Sequence, residues 1–329
     1  MNVTVNEIAK ICNVSRTTVL RALNNQARVS DATRKRVLEV AKELGYRPNL
    51  LARSFTTGRT MTIGFVAINV DNMVFVESLS ALNQEAMHHG YSLNIALTGE
   101  SCETELKHIR EFADRRMEGI LLSAVNKGKK YEEFLKSLNI PIVCIGNDVC
   151  SDFSTVMIDE AQAARDAVRL ILSKGYQRVV FICPPLAEQE EINVYSHIQR
   201  AKGFEEELSK NPEIERQIIS GENYIDQLEP ILRSPKTHTA ILCSGDIYAL
   251  NIMRLFKSRK IKTPRDIGIM GFDNIKMLEY VVPRLTTVST NVEKVAAVAV
   301  NELISQITDK RAVPKKIVLP HQILDMETL

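Results

Sequence analysis

A short stretch near the N-terminus carries cationic and amide side chains at the spacing of a helix. Arg16, Thr17, Arg21 and Asn24 fall on one face of that helix, together with Leu20. Arginine and asparagine side chains hydrogen-bond to base edges in the major groove of DNA, and the same groups contact phosphates. The pattern therefore favours recognition of double-stranded nucleic acid.

The charge of the chain is distributed unevenly. Residues 1–60 contain eleven Lys and Arg against four Asp and Glu, a formal charge of +7, whereas the whole 329-residue chain carries +2. The remaining residues therefore carry −5. A small basic segment on an acidic body is typical of a polyanion-binding module joined to a second function, although a solvated helical face would have the same charge.

Capping residues predict three short helices in residues 1–47. Thr4 and Glu7 match a capping box at the start of the first helix. Ser15 caps a second helix that runs to about residue 23, and Ser30 caps a third that ends near residue 45. Asn13 can adopt the left-handed conformation that a sharp turn between the first two helices requires. Two helices joined by a tight turn and braced by a third form a helix-turn-helix.

The rest of the chain alternates between short apolar runs and segments with helical spacing. The apolar runs are residues 62–67, 92–97, 119–124, 141–145, 178–182, 216–219, 239–243 and 267–270, with a last predicted strand at 316–319. Repeated strand–helix units predict parallel sheets with crossover helices. Because the runs fall into two sets, the sequence predicts two α/β lobes.

Several classes of protein are disfavoured by the sequence. No apolar run reaches the eighteen or so residues of a membrane helix, and the first residues lack the basic and apolar segments of a signal peptide, so we expect a cytoplasmic, nucleoid-associated protein without membrane contact. The six cysteines have no metal-type spacing. No phosphate loop or Ser/His/Asp set is visible, so we expect no cofactor, no metal and no catalysis. A solute-binding protein and an α/β sugar-modifying enzyme remain as alternatives.

A family resemblance is carried by the N-terminal sixty residues and continues to the end of the chain. The segment TVNEIAKICNVSRTTVLRALNNQARVSDATRKRVLEVAKELGYRPNLLARSFTTGRT resembles the opening of the lactose-repressor/galactose-repressor family of bacterial transcription regulators, with its recognition helix, third helix and hinge. Further along, IGFVAINVDNMVF, SKGYQRVVFI and PRDIGIMGFDN follow in family order.

The resemblance implies the fold and its boundaries. It implies an all-α helix-turn-helix head at residues 1–47, a hinge helix or linker at 48–60, and an effector-binding core at 61–329. The core would be periplasmic-binding-protein-like, with two doubly wound lobes. Its N-lobe would span about 61–160 and 291–320, and its C-lobe about 161–289.

The resemblance also implies the function and the partners. The protein would bind a pseudo-palindromic operator in double-stranded DNA as a homodimer, usually as a repressor, under the control of a sugar or related metabolite bound between the lobes. The ten residues after the last predicted strand are too few for the leucine-heptad tail that tetramerises some relatives, so we expect a dimer.

Residues implied to contact DNA lie throughout the head and hinge. They are Thr4, Val5, Arg16, Thr17, Arg21, Asn24, Arg28, Ser30, Thr33, Tyr46, Asn49, Ala52 and Phe55. Within this set, Arg16, Thr17 and Arg21 match positions that read bases. Phe55 stands where the family inserts a leucine between central base pairs, a role that phenylalanine can also fill. Leu20 replaces the family's usual serine, so we expect either a lost phosphate contact or an apolar contact with a thymine methyl group.

Residues implied to contact the effector lie on both walls of the cleft. They are Asn72 and Phe75 on the N-lobe and Ser196, Arg200, Asp246 and Asp273 on the C-lobe. We expect Arg200 and Asp273 to hold unsatisfied hydrogen-bonding capacity that a ligand would use. Phe75 could instead be packing, and Asp246 could instead cap the following helix. Gly146 and Gly245 stand where relatives often carry sugar-binding Asp or Asn, which favours a bulkier ligand than a simple hexose.

Overall fold

The computed structural model describes residues 3–47, 54, 58–99, 101–186, 193–233, 237–309 and 311–329. The chain divides into two compact units, Met1–Thr60 and Met61–Leu329. The first unit is helical, and the second contains two six-stranded sheets.

The first unit, which we call the head, contains three short helices around a small apolar core. They are α1 (Val5–Cys12), α2 (Arg16–Leu23) and α3 (Asp31–Glu43). The predicted capping box is present, since the Thr4 backbone N–H donates to Glu7 Oε2 (2.6 Å) and the Glu7 N–H donates to Thr4 Oγ1 (3.4 Å). Asn13 ends α1 in the left-handed region (φ 52°), as the tight turn requires. The core between the helices is formed by Ile8, Ala9, Cys12, Val19, Ala22, Val37 and Ala41.

The second unit has twelve strands among its described residues. In chain order they are β1 (Thr62–Ala67), β2 (Ser92–Leu97), β3 (Ile120–Leu122), β4 (Ile142–Ile145), β5 (Ser154–Ile158), β6 (Arg178–Cys183), β7 (Glu215–Ser220), β8 (Thr239–Cys243), β9 (Ile267–Asp273), β10 (Thr286–Ser289), β11 (Lys316–Leu319) and β12 (Gln322–Leu324). The N-lobe sheet has the order β11-β5-β4-β3-β1-β2, and the C-lobe sheet has the order β12-β10-β9-β8-β6-β7. Pairing is parallel except between β10 and β12.

Helices cover both sheets. In chain order the helices of this unit are α4 (Met73–His88), α5 (Cys102–Asp114), α6 (Lys129–Ser137), α7 (Glu160–Ser173), α8 (Tyr195–Leu208), α9 (Tyr224–Arg233), α10 (Asp246–Arg259), the 3₁₀ helix Lys276–Tyr280 and α11 (Val292–Thr308). Burial on both faces explains why strands such as β1 and β6 are almost wholly apolar. The all-α head followed by two α/β lobes confirms the predicted fold class.

The chain passes between the two sheets three times. It leaves the N-lobe after β5, returns to it after β10, and crosses again from β11 to β12. The last residues belong to the C-lobe, because β12 pairs with β10 and the Thr328 hydroxyl donates to the Ile269 carbonyl oxygen (2.7 Å). Paired parallel sheets place the carboxyl ends of their strands at the cleft, where such folds bind ligands.

Strands β5, β10 and β12 lie outside the apolar runs that the sequence marks. All three are short, and β5 and β10 begin with Ser or Thr residues that are fully buried in the folded chain. Their hydroxyls are satisfied by distant groups, as when Ser154 donates to Glu302 (2.9 Å), so hydrophobicity alone does not mark them. Within the described part of the chain, no helix has the length and apolar character needed to cross a membrane.

Candidate DNA interface and effector cleft

The outer face of α2 is accessible in the head. Arg16, Thr17 and Asn24 are exposed, Leu20 is 37% exposed, and Arg21 is half-buried. The opposite face of α2 is held in the head core by Val19 and Ala22. Helix packing therefore fixes which side chains point outward.

The arginines predicted to touch DNA carry uncompensated charge. Arg16, Arg21 and Arg28 form no ion pair with any residue that the structure describes. Arg34 differs, because its guanidinium donates to the Asn25 side chain and to the Gln26 carbonyl oxygen (2.8 Å) and so braces the loop between α2 and α3. The first three are available to an anionic partner, and Arg34 has a structural role.

The hydroxyl groups predicted to contact DNA cap helices. Ser30 Oγ accepts from the Thr33 N–H (3.3 Å) and lies 2.8 Å from Thr33 Oγ1. Thr4 caps α1 in the same way. Helix N-termini are good phosphate sites because their backbone N–H groups and dipoles favour negative charge. Val5 and Tyr46 pack against the head core. Asn49, Ala52 and Phe55 lie outside the described residues.

On the C-lobe wall, Arg200 lies in a buried network of ion pairs. Its Nε donates to Glu160 Oε2 (2.7 Å), and its Nη1 donates to the Ser244 carbonyl oxygen (2.5 Å) and lies 3.5 Å from Asp273 Oδ1. The guanidinium also stacks on the Phe272 ring, 3.7 Å from the centroid. The sequence predicted unsatisfied hydrogen-bonding capacity at Arg200 and Asp273. The structure instead engages them with each other and with Glu160.

Asp273 has an unusual backbone at the end of β9. Its φ of 115° is rarely adopted by residues other than glycine, and such outliers persist where surrounding contacts impose them. Burial strongly raises the pKa of its carboxyl group, with the negative charges of Asp246 and Glu160 adding to the rise and Arg200 opposing it. Asp273 therefore holds a proton more readily than an exposed aspartate.

Asp246 does not cap the helix that follows it, which was one of the two roles that the sequence suggested. It is fully buried, and its carboxylate accepts from the Ile275 N–H (2.9 Å) and the Thr287 hydroxyl (2.6 Å). It makes no capping hydrogen bond at the start of α10, whose N-cap residue is Gly245. Asp246 thus orders the loop after β9, and burial raises the pKa of its carboxyl group.

The N-lobe wall is formed around the start of α4. Asn72 caps that helix, since its Oδ1 accepts from the Val74 N–H (3.1 Å), and Phe75 is half-buried one turn later. Met73 and Val74 pack against the apolar core of the C-lobe. The first turn of α4 therefore contacts both lobes.

Amide groups join the two lobes at one side of the cleft. The Asn193 N–H donates to the Val125 carbonyl oxygen (2.7 Å), and its side chain donates to the Asp148 carbonyl oxygen (3.0 Å). Asn147 makes a further contact between the lobes, because its Oδ1 accepts from the Ser196 hydroxyl (3.2 Å). Ser196, predicted to contact ligand, is thus also an inter-lobe contact.

The two glycines that stand where relatives often carry Asp or Asn have different surroundings. A Cβ at Gly245 would lie 3.4 Å from Asp273 Oδ2, so the absence of a side chain there leaves room for that carboxylate. A Cβ at Gly146 would lie 4.0 Å from Ser196 Oγ, and Gly146 has a positive φ of 77° that favours glycine. Its neighbour Asn147 supplies an amide at this point of the cleft.

Three polar residues of the C-lobe wall were not predicted from the sequence. They are Glu160, His197 and Ser244. Among the described residues, His197 Nδ1 and Ser244 Oγ are buried without a hydrogen-bond partner. Burial, with Arg200 nearby, lowers the pKa of His197 to about 3, so the ring is neutral at pH 7. Glu160 lies where the chain first crosses between the lobes. That position is the only signal in the sequence that points to it.

Comparison with known proteins identifies both the head and the second unit. The family model described as bacterial regulatory proteins, lacI family, matches residues 4–49, and the model described as a periplasmic binding protein-like domain matches residues 168–325. Catabolite control protein A from Priestia megaterium is 30% identical over 331 residues, covering 98% of each chain.

Solved structures match this chain over almost its full length. A LacI-family transcriptional regulator from Silicibacter pomeroyi matches with a TM-score of 0.78 and 28% identity, covering 99% of each chain. The lac repressor dimer bound to operator and the anti-inducer ONPF matches with a TM-score of 0.85 and 21% identity, covering 100% of this chain and 99% of the other. The second likeness is one of fold.

Proposed function

This chain belongs to the lacI family of bacterial regulatory proteins, and from that premise we propose that it is a repressor that binds a pseudo-palindromic operator as a homodimer under effector control. The family resemblance of the sequence is thereby confirmed. Membership in this family also favours a regulator over the two alternatives that the sequence left open, a solute-binding protein and a sugar-modifying enzyme. We place its action in the cytoplasm, on the nucleoid.

The observation that carries the proposal is the accessible face of α2. Arg16 and Thr17 are exposed at the start of the helix, Arg21 follows a turn later, and the arginines have no ion-pair partner among the described residues. A helix that presents such groups can enter the major groove and read base edges. Fluorescence anisotropy tests operator binding directly, with candidate DNA fragments from the promoter region of the gene that encodes this protein.

Exposed apolar residues support the proposal that two copies of the chain form a dimer. Ile95 and Leu97 are 47% and 41% exposed on β2, which is the edge strand of the N-lobe sheet. On the C-lobe, Tyr280 and Val282 are 85% and 89% exposed. Ile95 and Leu97 lie two residues apart on one face of β2, and exposed apolar residues that lie together mark protein–protein interfaces. We assign this surface to a two-fold dimer contact, as two operator half-sites require.

Replacing both Tyr280 and Val282 with arginine should disrupt the dimer. Four buried charges per interface would replace apolar contacts, with an expected loss of about 2 kcal/mol or more of dimer stability. Sedimentation should then show a monomer at concentrations where the wild type is a dimer. Val313→Arg provides a matched control, because Val313 is 73% exposed in the loop before β11. An unchanged dimer in the double variant would place the interface elsewhere.

We further propose that the effector binds between the lobes, with Arg200 and Asp273 as polar anchors. Both side chains are buried at the C-lobe wall, and ligand contact at this position can shift the balance between lobe arrangements. A closed or open arrangement would then alter how the two heads meet the operator. A thermal-shift screen of small metabolites identifies the effector.

Asp273→Asn should leave operator binding intact and abolish its response to effector. The amide keeps the size of the side chain but replaces the carboxyl group that faces Arg200, and a hydrogen bond to a charged group contributes about 1.5–3 kcal/mol. Calorimetry with the identified effector measures the loss, and anisotropy measures operator binding. Equal effector affinity in wild type and variant would show that the ligand sits elsewhere.

A further inference from the structure

Glu160 determines how much of Arg200 a ligand can use. It lies in the first turn of α7, and both side chains of the pair are less than a tenth exposed. The Nε of Arg200 donates to Glu160 while its Nη1 is held by the Ser244 carbonyl oxygen and Asp273. An anion that pairs with two adjacent guanidinium N–H groups needs either Nε or Nη1. Both are occupied.

The charge of the cluster points the same way. Three carboxyl groups, Glu160, Asp246 and Asp273, surround the single guanidinium of Arg200, and all four side chains are buried. Burial raises the pKa of both aspartates, which shows that the site already resists negative charge. An anionic ligand would add to that repulsion.

Among the described residues, the other basic side chains near this cluster are a neutral histidine, a paired lysine and the exposed Arg284. His197 is neutral at pH 7, since burial lowers its pKa to about 3. Lys276, the first residue of the 3₁₀ helix after β9, is paired with Glu293 (3.2 Å). By contrast, His197 Nδ1 and Ser244 Oγ are buried without hydrogen-bond partners among the described residues. Such atoms suit the hydroxyl or amine groups of a ligand.

We propose that Glu160 is a specificity-determining residue that restricts the cleft to uncharged or amine-bearing sugar-like effectors and excludes carboxylated and phosphorylated ones. The exclusion arises because the Glu160 carboxylate neutralises the guanidinium and occupies the Nε–H group that an acidic ligand would need. The inference rests on the proposed function in one respect, that the cleft is the effector site.

The test compares ligands that differ only in charge. Glucose, glucosamine, glucuronic acid and glucose 6-phosphate, with their galactose counterparts, are titrated into the full chain by calorimetry and thermal shift. Glu160→Gln, which keeps the shape and removes the charge, should bind at least one acidic probe about tenfold or more tightly than wild type does, equivalent to about 1.4 kcal/mol. Wild type should not prefer an acidic probe over its neutral or amine-bearing counterpart.

The chain provides a matched control on the same pair of helices. Glu207 on α8 pairs with Arg169 on α7 (2.9 Å), so Glu207→Gln removes an equivalent ion pair away from the cleft and should leave acidic probes unbound. A wild-type preference for acidic probes overturns the proposal, as does a folded Glu160→Gln variant with no gain. Should that variant not fold, the wild-type comparison decides alone. Operator binding is measured in parallel, since its absence would refute the regulatory function without altering the charge preference.

Discussion

Gly203→Ala should destabilise the C-lobe by about 3 kcal/mol, although alanine is the better helix former. Gly203 lies on α8 where that helix crosses α7, and a Cβ would come within 2.1 Å of the Ala161 carbonyl oxygen. Because the obstacle is backbone, the helices must separate. Glu160 is adjacent to Ala161, and Arg200 lies one turn before Gly203, so the same movement should separate the buried ion pair.

Thermal unfolding and effector calorimetry together measure this effect. We expect a lowered melting temperature and a loss of effector binding in the same variant. Lys202→Ala is the control, because Lys202 is exposed on the neighbouring position of the helix and its replacement removes no packing. If Gly203→Ala were as stable as that control, the close approach of α7 and α8 would be wrong.

Arg21→Ala should weaken operator binding by about 1–3 kcal/mol per half-site, an effect that counts twice in a symmetric dimer. Arg21 is half-buried on α2, where packing limits the directions its guanidinium can take. A restrained guanidinium near the groove is suited to paired hydrogen bonds with a guanine edge. The variant should lose discrimination between operator and random DNA.

Anisotropy titrations on both DNAs over a salt series separate the two roles of an arginine. Loss confined to the operator indicates base reading, whereas an equal loss on both DNAs with a shallower salt dependence indicates a phosphate contact. Lys35→Ala, on the exposed side of α3, provides a control for the general effect of removing one positive charge.

The head could be predicted from the sequence almost residue by residue, because its determinants are local. Capping by Thr4, Ser15 and Ser30 and the left-handed Asn13 each involve residues within one helical turn. The pairing of apolar runs into parallel strands was also predictable, since buried strands leave a strong pattern. Short strands with buried hydroxyls, such as β5, left no such pattern.

The chemistry of the cleft could be predicted only in part. Arg200 and Asp273 were identified by resemblance, but the pairing of Arg200 with Glu160 joins residues forty positions apart, which no local spacing reveals. Asp246 likewise is the first residue of a helix, but its carboxylate accepts hydrogen bonds from Thr287 and from the loop after β9. Partners in such buried networks are set by tertiary packing.

Selection of binding sites from random double-stranded DNA by the full-length chain tests the central claim most directly. We expect enrichment of a pseudo-palindrome whose two half-sites lie about one helical turn apart, with base preferences that Arg21→Ala relaxes symmetrically. Failure to enrich any sequence, or enrichment of a single half-site without a symmetric partner, would contradict the proposal that the chain acts as a dimeric operator-binding regulator.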